Sequence, residues 1–482
     1  MSTFKNDIEY MLSLAHRDNI DAIKSLFFTI ISSPNEFSLD EMAKIYYTTY
    51  RIWFSLSQEN SFDDQKILMY KAYETLFIRS ERLACSDAPP PCRAAEKNTA
   101  DIVVLTGQFL DSQHAPTIAA LTHCIYLKKL GFNPIIINCD TYCIPDPFFS
   151  GLFYATNIPQ FSNAGIDINL HTGMGFTLQE NGSQTSQVIF EDNQFEFYQL
   201  AGSLEEKISN FNGIFQDIIA QNVDIISVGD ANIFADLLAR TNKCIVYHTS
   251  VETPVASVRA PAIFPKKLNN NEHALLEKLG VTDNVIEVEI PLFHHMKNAN
   301  RSNNLDMRED EIVFAIVGRR LAREVNKNFI LLMRKIKNTI SNARFVFAGE
   351  ALDENILNYA DEHALLDCMT QIGFVPDTAE MYRSAHFYVN PSRRGGGSSA
   401  FEALYQGVPV ITYCYGDVHS IVGSDFSFES DEDILAYLST CINDQGFYLQ
   451  QKKLAKKIAA EKDGSNDAYR KFLTEIGIPS LA

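Results

Sequence analysis

Asn390-Pro-Ser-Arg-Arg-Gly-Gly-Gly-Ser-Ser-Ala-Phe-Glu-Ala-Leu-Tyr-Gln-Gly-Val-Pro-Val410 reads as a strand end, a triple-glycine turn and a helix opening on two serines. Gly395, Gly396 and Gly397 carry no side chain, so backbone amides can come close to a ligand. Ser398 and Ser399 add hydroxyl donors. The start of the helix adds unpaired N–H groups and the positive end of its dipole. Together these groups suit a diphosphate. Glu402, one turn in, faces the same end and is placed to accept hydrogen bonds from ribose hydroxyls.

Outward from this stretch, short apolar runs alternate with helical periodicity. Strands are expected at 312–317, 344–349, 369–374, 386–390 and 409–413, with helices at about 326–338, 352–364, 377–384 and 399–406. Helical material from 432 to 475 follows. An earlier series has strands at 101–110, 134–138, 224–229 and 244–248, with helices at 115–130, 203–219 and 231–240. Residues 150–200 are less regular and read as an insertion carrying a hairpin around 186–197. Residues 265–308 are polar and Asn-rich apart from the apolar piece 285–292. Two successive βα series joined by a linker imply two Rossmann-like, doubly wound domains facing a cleft.

Ahead of them, residues 1 to about 84 read as helices only. Ser38-Leu39-Asp40-Glu41 is a capping box, followed by an apolar face of Met42, Ile45, Tyr46, Tyr50 and Trp53. A second helix opens near Asp63 and carries Ile67, Tyr70, Leu76 and Phe77 at helical spacing. Three prolines within 85–92 then enforce an extended linker. The expected organisation is a small all-α N-terminal domain with its Pro-rich linker at 1–98, a Rossmann-like domain on the acceptor side at 99–300, and a second on the donor side at 301–482.

Composition excludes several classes. The 482 residues are 46% hydrophobic and 21% charged, with a net charge of -19. So acidic a surface disfavours a general nucleic-acid binder and anionic membranes, though not one small anion in a basic pocket. The N-terminus lacks the pattern of a secretory signal, and no apolar run reaches the ~18 residues of a membrane span. Nine cysteines are scattered without paired zinc-ligand spacing, and the His294-His295 pair has no acidic or thiol companion. Reduced thiols, a cytoplasmic protein and no metal are expected.

Over residues 101–475 the chain resembles the GT-B glycosyltransferases. The pattern G-G-x-S-x-x-E-A-L-x-x-G-V-P-V-I is similar to their donor-diphosphate loop and ribose-binding glutamate, which implies donor binding by Gly395 to Ser399 and by Glu402. A second similarity lies in 317–329, where the family places a cation against the donor phosphates. It implies catalytic roles for Arg320 and Lys327. A third, 373–377, implies Phe374 beside the nucleotide base. In the first domain, 107–117 is similar to the H-P-T loop of O-GlcNAc-transferase-like enzymes and implies that His114 touches a phosphate, a sugar hydroxyl or the acceptor. His248, ending the strand at 244–248, points toward the same cleft.

One departure is specific. Retaining members carry two glutamates separated by seven residues, and counting back from Glu402 lands on Arg394. The loop is closer to the G-G-x-[ST] version of inverting members. Asp111, Asp230 and Glu252 remain unranked as general bases. The resemblance implies transfer of a hexose from a nucleotide diphosphate sugar, a UDP-sugar first, to a protein or oligosaccharide acceptor. It implies no separate cofactor. The helical extension resembles the architecture of cytoplasmic protein glucosyltransferases of bacterial adhesins, and it offers a surface for oligomerisation. Two alternatives stand beside this reading: a GT-B-fold sugar-nucleotide 2-epimerase, and a catalytically silent GT-B partner subunit.

Overall fold

The structure is a computed structural model. It describes residues 10–11, 14, 19–54, 63–85, 100–109, 115–141, 167–170, 177–178, 181–182, 185–191, 193–200, 202–229, 232–249, 257–264, 268–288, 291–292, 310–375, 378–391 and 393–478.

The N-terminal helices are Ile20–Ser32, Leu39–Phe54 and Asp63–Ala84. The capping box at Ser38 forms as expected. The Glu41 N–H donates to Ser38 Oγ at 3.2 Å, and the Ser38 N–H donates to the Glu41 carboxylate at 2.9 Å. Behind it Met42, Ile45, Tyr46, Tyr50 and Trp53 are all buried. They join one continuous core with Val103, Leu105, Ile225 and Val246 of the first sheet. Polar ties reinforce that core. Tyr73 Oη donates to Asp236 Oδ2 at 2.7 Å, and Asp236 Oδ1 accepts the N–H groups of Val258, Arg259 and Ala260 at 3.1, 2.7 and 2.8 Å. Asp40 Oδ1 accepts the Leu204 N–H at 2.7 Å, across 164 residues of chain.

The first sheet contains β1 (Asp101–Thr106), β2 (Asn133–Asn138), β3 (Asp167–Leu170), β6 (Thr185–Phe190), β7 (Asn193–Gln199), β8 (Asp224–Val228), β9 (Cys244–Tyr247), β10 (Ala262–Phe264) and β11 (Val285–Glu287), while β4 (Thr177–Leu178) and β5 (Asn181–Gly182) pair apart. Its order is β11-β10-β9-β8-β1-β2-β7-β6-β3, parallel from β11 to β7. Strands β6 and β7 form the expected hairpin, antiparallel, and add the edge strand β3.

The second sheet runs β14 (Met369–Gly373), β13 (Ala343–Gly349), β12 (Ile312–Gly318), β15 (Phe387–Val389), β16 (Val410–Tyr413), β17 (Ser427–Phe428), parallel throughout. In chain order that is third, second, first, fourth, fifth, sixth. This is the doubly wound arrangement, and it places the reversal of strand order between β12 and β15. The helix Asn466–Glu475 then packs back on the first lobe, where Tyr469, Phe472 and Leu473 enter the core.

Three expectations need correction. The helix expected at 203–219 is three short helices, Leu204–Ser209, Phe211–Ile214 and Gln216–Gln221. Asn210 (φ -100°, ψ 16°) and Phe215 (φ -103°, ψ 13°) leave helical geometry and break it. The polar stretch 265–308 holds the helix Asn270–Leu279, opened by an Asn269/Glu272 capping box. The second sheet also has a sixth strand, β17. Among the described residues no helix is long and apolar enough to cross a membrane. The seven described cysteines are free thiols.

Candidate donor site at the strand-order reversal

In an open α/β sheet, ligands bind beyond the carboxyl ends of the strands where the strand order reverses. In the second sheet that point lies between Val317-Gly318, ending β12, and Asn390, following β15. Arg393 occupies it. Its side chain is 7% exposed and makes four hydrogen bonds. Nε donates to Asn390 Oδ1 at 2.9 Å and Nη1 to Glu324 Oε2 at 2.9 Å. Nη2 donates to the Val317 carbonyl at 2.8 Å and to Tyr388 Oη at 2.7 Å. The guanidinium thus joins the end of β12, the end of β15 and the segment 320–324.

Glycine is required on both sides of this group. A Cβ on Gly318 would lie 2.7 Å from Arg393 Nη1, and one on Gly396 would lie 2.6 Å from Nε. Gly396 also has φ +104°, a conformation that other residues avoid. From it springs the helix Gly397–Tyr405, whose N-terminus takes no side-chain cap. Gly395 and Gly397 are buried, Ser398 is exposed and Ser399 half-buried. Glu402, one turn along, is half-buried and accepts the Thr378 hydroxyl.

Arg320 reaches the same network through Glu324. Its Nε and Nη2 approach Glu324 Oε1 at 3.0 and 2.9 Å, so one buried carboxylate bridges two guanidiniums. Burial opposes ionisation of Glu324, but the charges of Arg393 and Arg320 outweigh it and hold the carboxyl below its ordinary range. Glu350, just beyond β13, accepts the Ala322 N–H at 3.3 Å. Partial burial, with repulsion from Glu324, raises its carboxyl above the usual range. Lys327 is exposed at the first position of the helix Lys327–Thr339, with Nζ 4.9 Å from the Tyr359 ring centroid. Phe374 is 55% exposed at the end of β14.

In the first lobe, His248 is buried after β9, its ring 5.8 Å from that of Phe264. His114, Asp111, Asp230 and Glu252 lie outside the described residues. The bridging pair Glu324 and Arg393, with Asn390 and Tyr388, was missed by sequence reasoning. The i, i+4 spacing of Arg320 and Glu324 was a usable signal; nothing local marks Arg393 apart from Arg394. Among the described residues, no group of three or more His, Cys, Asp or Glu side chains could hold a metal ion.

Residues 298–459, which take in the second sheet and the glycine turn, match the family described as glycosyl transferases group 1. No curated protein matches the chain. Among solved structures, a mutant O-GlcNAc transferase of Thermobaculum terrenum is similar at TM-score 0.56 and 11% identity, covering 97% of this chain and 82% of its own. A glycosyltransferase from Rickettsia africae is similar at TM-score 0.54 and 13% identity, covering 79% and 98%. The catalytic domain of Arabidopsis thaliana starch synthase IV, bound to ADP and acarbose, reaches 0.50 at 10% identity, covering 78% and 98%. Two Rossmann-like lobes preceded by helices are a GT-B-like glycosyltransferase fold.

Proposed function

We propose that the protein is a glycosyltransferase moving a hexose from a nucleotide diphosphate sugar, UDP-linked, to a protein or glycan acceptor. The second lobe takes the donor and the first the acceptor. The observation that carries this reading is the uncapped helix at Gly397, set at the strand-order reversal by a guanidinium with four hydrogen bonds. Amides of 395–399 and the serine hydroxyls receive the diphosphate, and Glu402 accepts from the ribose. Departure of the nucleotide builds negative charge on the diphosphate. Oriented amides, the helix dipole and the cations Arg320 and Lys327 stabilise that charge more in the transition state than in the ground state. His114, His248 and Phe374 complete the proposed donor and acceptor contacts.

Calorimetry with UDP and GDP, followed by assays of donor hydrolysis and transfer, tests the reading. UDP should bind, and Glu402→Ala should weaken it by about 1.5–3 kcal/mol, the range for hydrogen bonds to a charged group. Unchanged affinity in that variant would sink the donor-site assignment. The silent-subunit reading has one observation in its favour, the arginine at position 394 where a retaining enzyme carries an acid. Nucleotide binding without turnover of any donor would support it.

A further inference from the structure

We propose that Trp53 is a positioning residue for the donor loop. Through Arg394, it clamps the Gly395–Ser399 turn of the second lobe to the helices carried by the first. The inference rests on the donor-site reading above. The guanidinium carbon of Arg394 lies 4.8 Å from the centroid of the Trp53 ring. Both side chains are buried, Trp53 at 0% and Arg394 at 4% exposure. A cation over an indole face, out of water, is the strongest form of this contact.

The two ends of the clamp are fixed independently. Trp53 lies in the helix Leu39–Phe54, and Tyr50 stacks beside it at 6.2 Å. That helix shares its core with the first sheet and is pinned at its start, where Leu39 N–H donates to Glu205 at 3.3 Å. On the other side, the Arg394 carbonyl accepts the Asp417 N–H at 2.7 Å. Gly416 packs so tightly there that a Cβ would lie 2.6 Å from the same carbonyl oxygen. The backbone of Arg394 therefore has little freedom, and its side chain transmits the position of the helix Leu39–Phe54 to the next three glycines.

The two neighbouring arginines divide the work. Arg393 fixes the turn within the second lobe, and Arg394 fixes it from across the molecule. The amides that would receive the diphosphate begin one residue later.

The test exploits the fact that Trp53 is the only tryptophan of the chain. Wild type, R394K, R394M, W53F, W53L and the double variant W53L/R394M are compared. UDP affinity is read by calorimetry, donor KM and kcat by turnover, and the emission of Trp53 is read in the variants that keep it. R394M and W53L should each weaken UDP about 30-fold, the scale of a desolvated cation–π contact. The double variant should lose no more than either single one. R394K and W53F, which keep a cation or a ring, should recover most of the loss. Trp53 emission should differ between wild type and R394M without ligand.

Wild-type UDP affinity in folded R394M overturns the proposal, and so does unaltered emission there. A weakened R394M beside an unaffected W53L would mean that Arg394 acts on the ligand directly, which also overturns it. If wild type binds no nucleotide diphosphate at all, the donor-site reading falls first and this proposal falls with it. Loss confined to the variants tests the clamp alone.

Discussion

Arg393 and Arg394 are adjacent in the chain, yet their side chains run in different directions and meet different lobes. Arg393 and Arg320 depend on one carboxylate, Glu324, and that dependence can be measured. Glu324→Gln leaves two guanidiniums without their shared counter-charge. The second lobe should lose about 3–5 kcal/mol of stability by urea unfolding at neutral pH, the range for breaking a buried ion pair from one side. The folded Glu324 carboxyl titrates below its unfolded value, ~4.3. The stability it gives is therefore complete above that value and disappears as pH falls through the folded one. The gap between wild type and variant should narrow in that acid window; a gap constant down to full protonation would show that the charge is irrelevant. Lys327 is exposed at the start of its helix and shares none of this network. Lys327→Ala should leave stability nearly unchanged yet lower kcat by ~10²-fold, more than it raises donor KM, if it faces the departing diphosphate. Wild-type turnover in that variant would place the neutralising charge elsewhere.

At the scale of elements, the carboxyl ends of β12 and β13 meet so closely that the backbone of Gly318 leaves room only for glycine at 349. Gly349 has φ +128°, and a Cβ there would lie 1.8 Å from the Gly318 carbonyl oxygen. No side chain can move aside to relieve that clash. Gly349→Ala should cost about 2–5 kcal/mol, combining strain with overpacking. Gly373 has φ +69° and nothing within 4 Å of its Cβ, so Gly373→Ala should cost only ~1–2 kcal/mol of left-handed strain. Equal losses by urea titration would refute the distinction. These elements also show what could be read from the sequence. Strands β12, β13, β15 and β16 fall within about two residues of expectation, because a strand buried on both faces is a continuous apolar run. The glycine turn was legible for a related reason: glycine, serine and glutamate in that order announce a backbone geometry. The network at Arg393 was not, since its partners Glu324 and Val317 come from 69 and 76 residues away. The helix Asn270–Leu279 was hidden by its polar composition, although Asn269 and Glu272 carry a capping box at the usual spacing. Periodicity marked Trp53 as buried and gave no hint that a loop 341 residues onward would meet it.

At the scale of the molecule, the C-terminal helix Asn466–Glu475 leaves the second lobe and closes on the first, and one histidine sits at the join. His123, in the helix Ala115–Lys129, is buried with Nδ1 2.6 Å from Tyr469 Oη and its ring edge-on to Tyr247 at 4.5 Å. Phe472 lies 5.9 Å away. Burial lowers its pKa to about 3, so in the folded protein the ring stays neutral through the mildly acid range. The unfolded chain takes up that proton below ~6.5. With the folded value depressed, the unfolded state binds more protons between the two values, so stability is complete above ~6.5 and falls with pH by about 1.4 kcal/mol per unit below it. His123→Gln removes the titration while leaving Tyr469 a polar neighbour. Urea unfolding of the first lobe, followed through Trp53 emission, should then show wild type losing roughly 2 kcal/mol more than the variant between pH 7.5 and pH 5.0. The window lies above the range where Glu324 titrates, so the two effects separate. Equal losses would mean that His123 takes up its proton within the folded lobe, so that burial against Tyr469 and Phe472 does not hold the ring neutral.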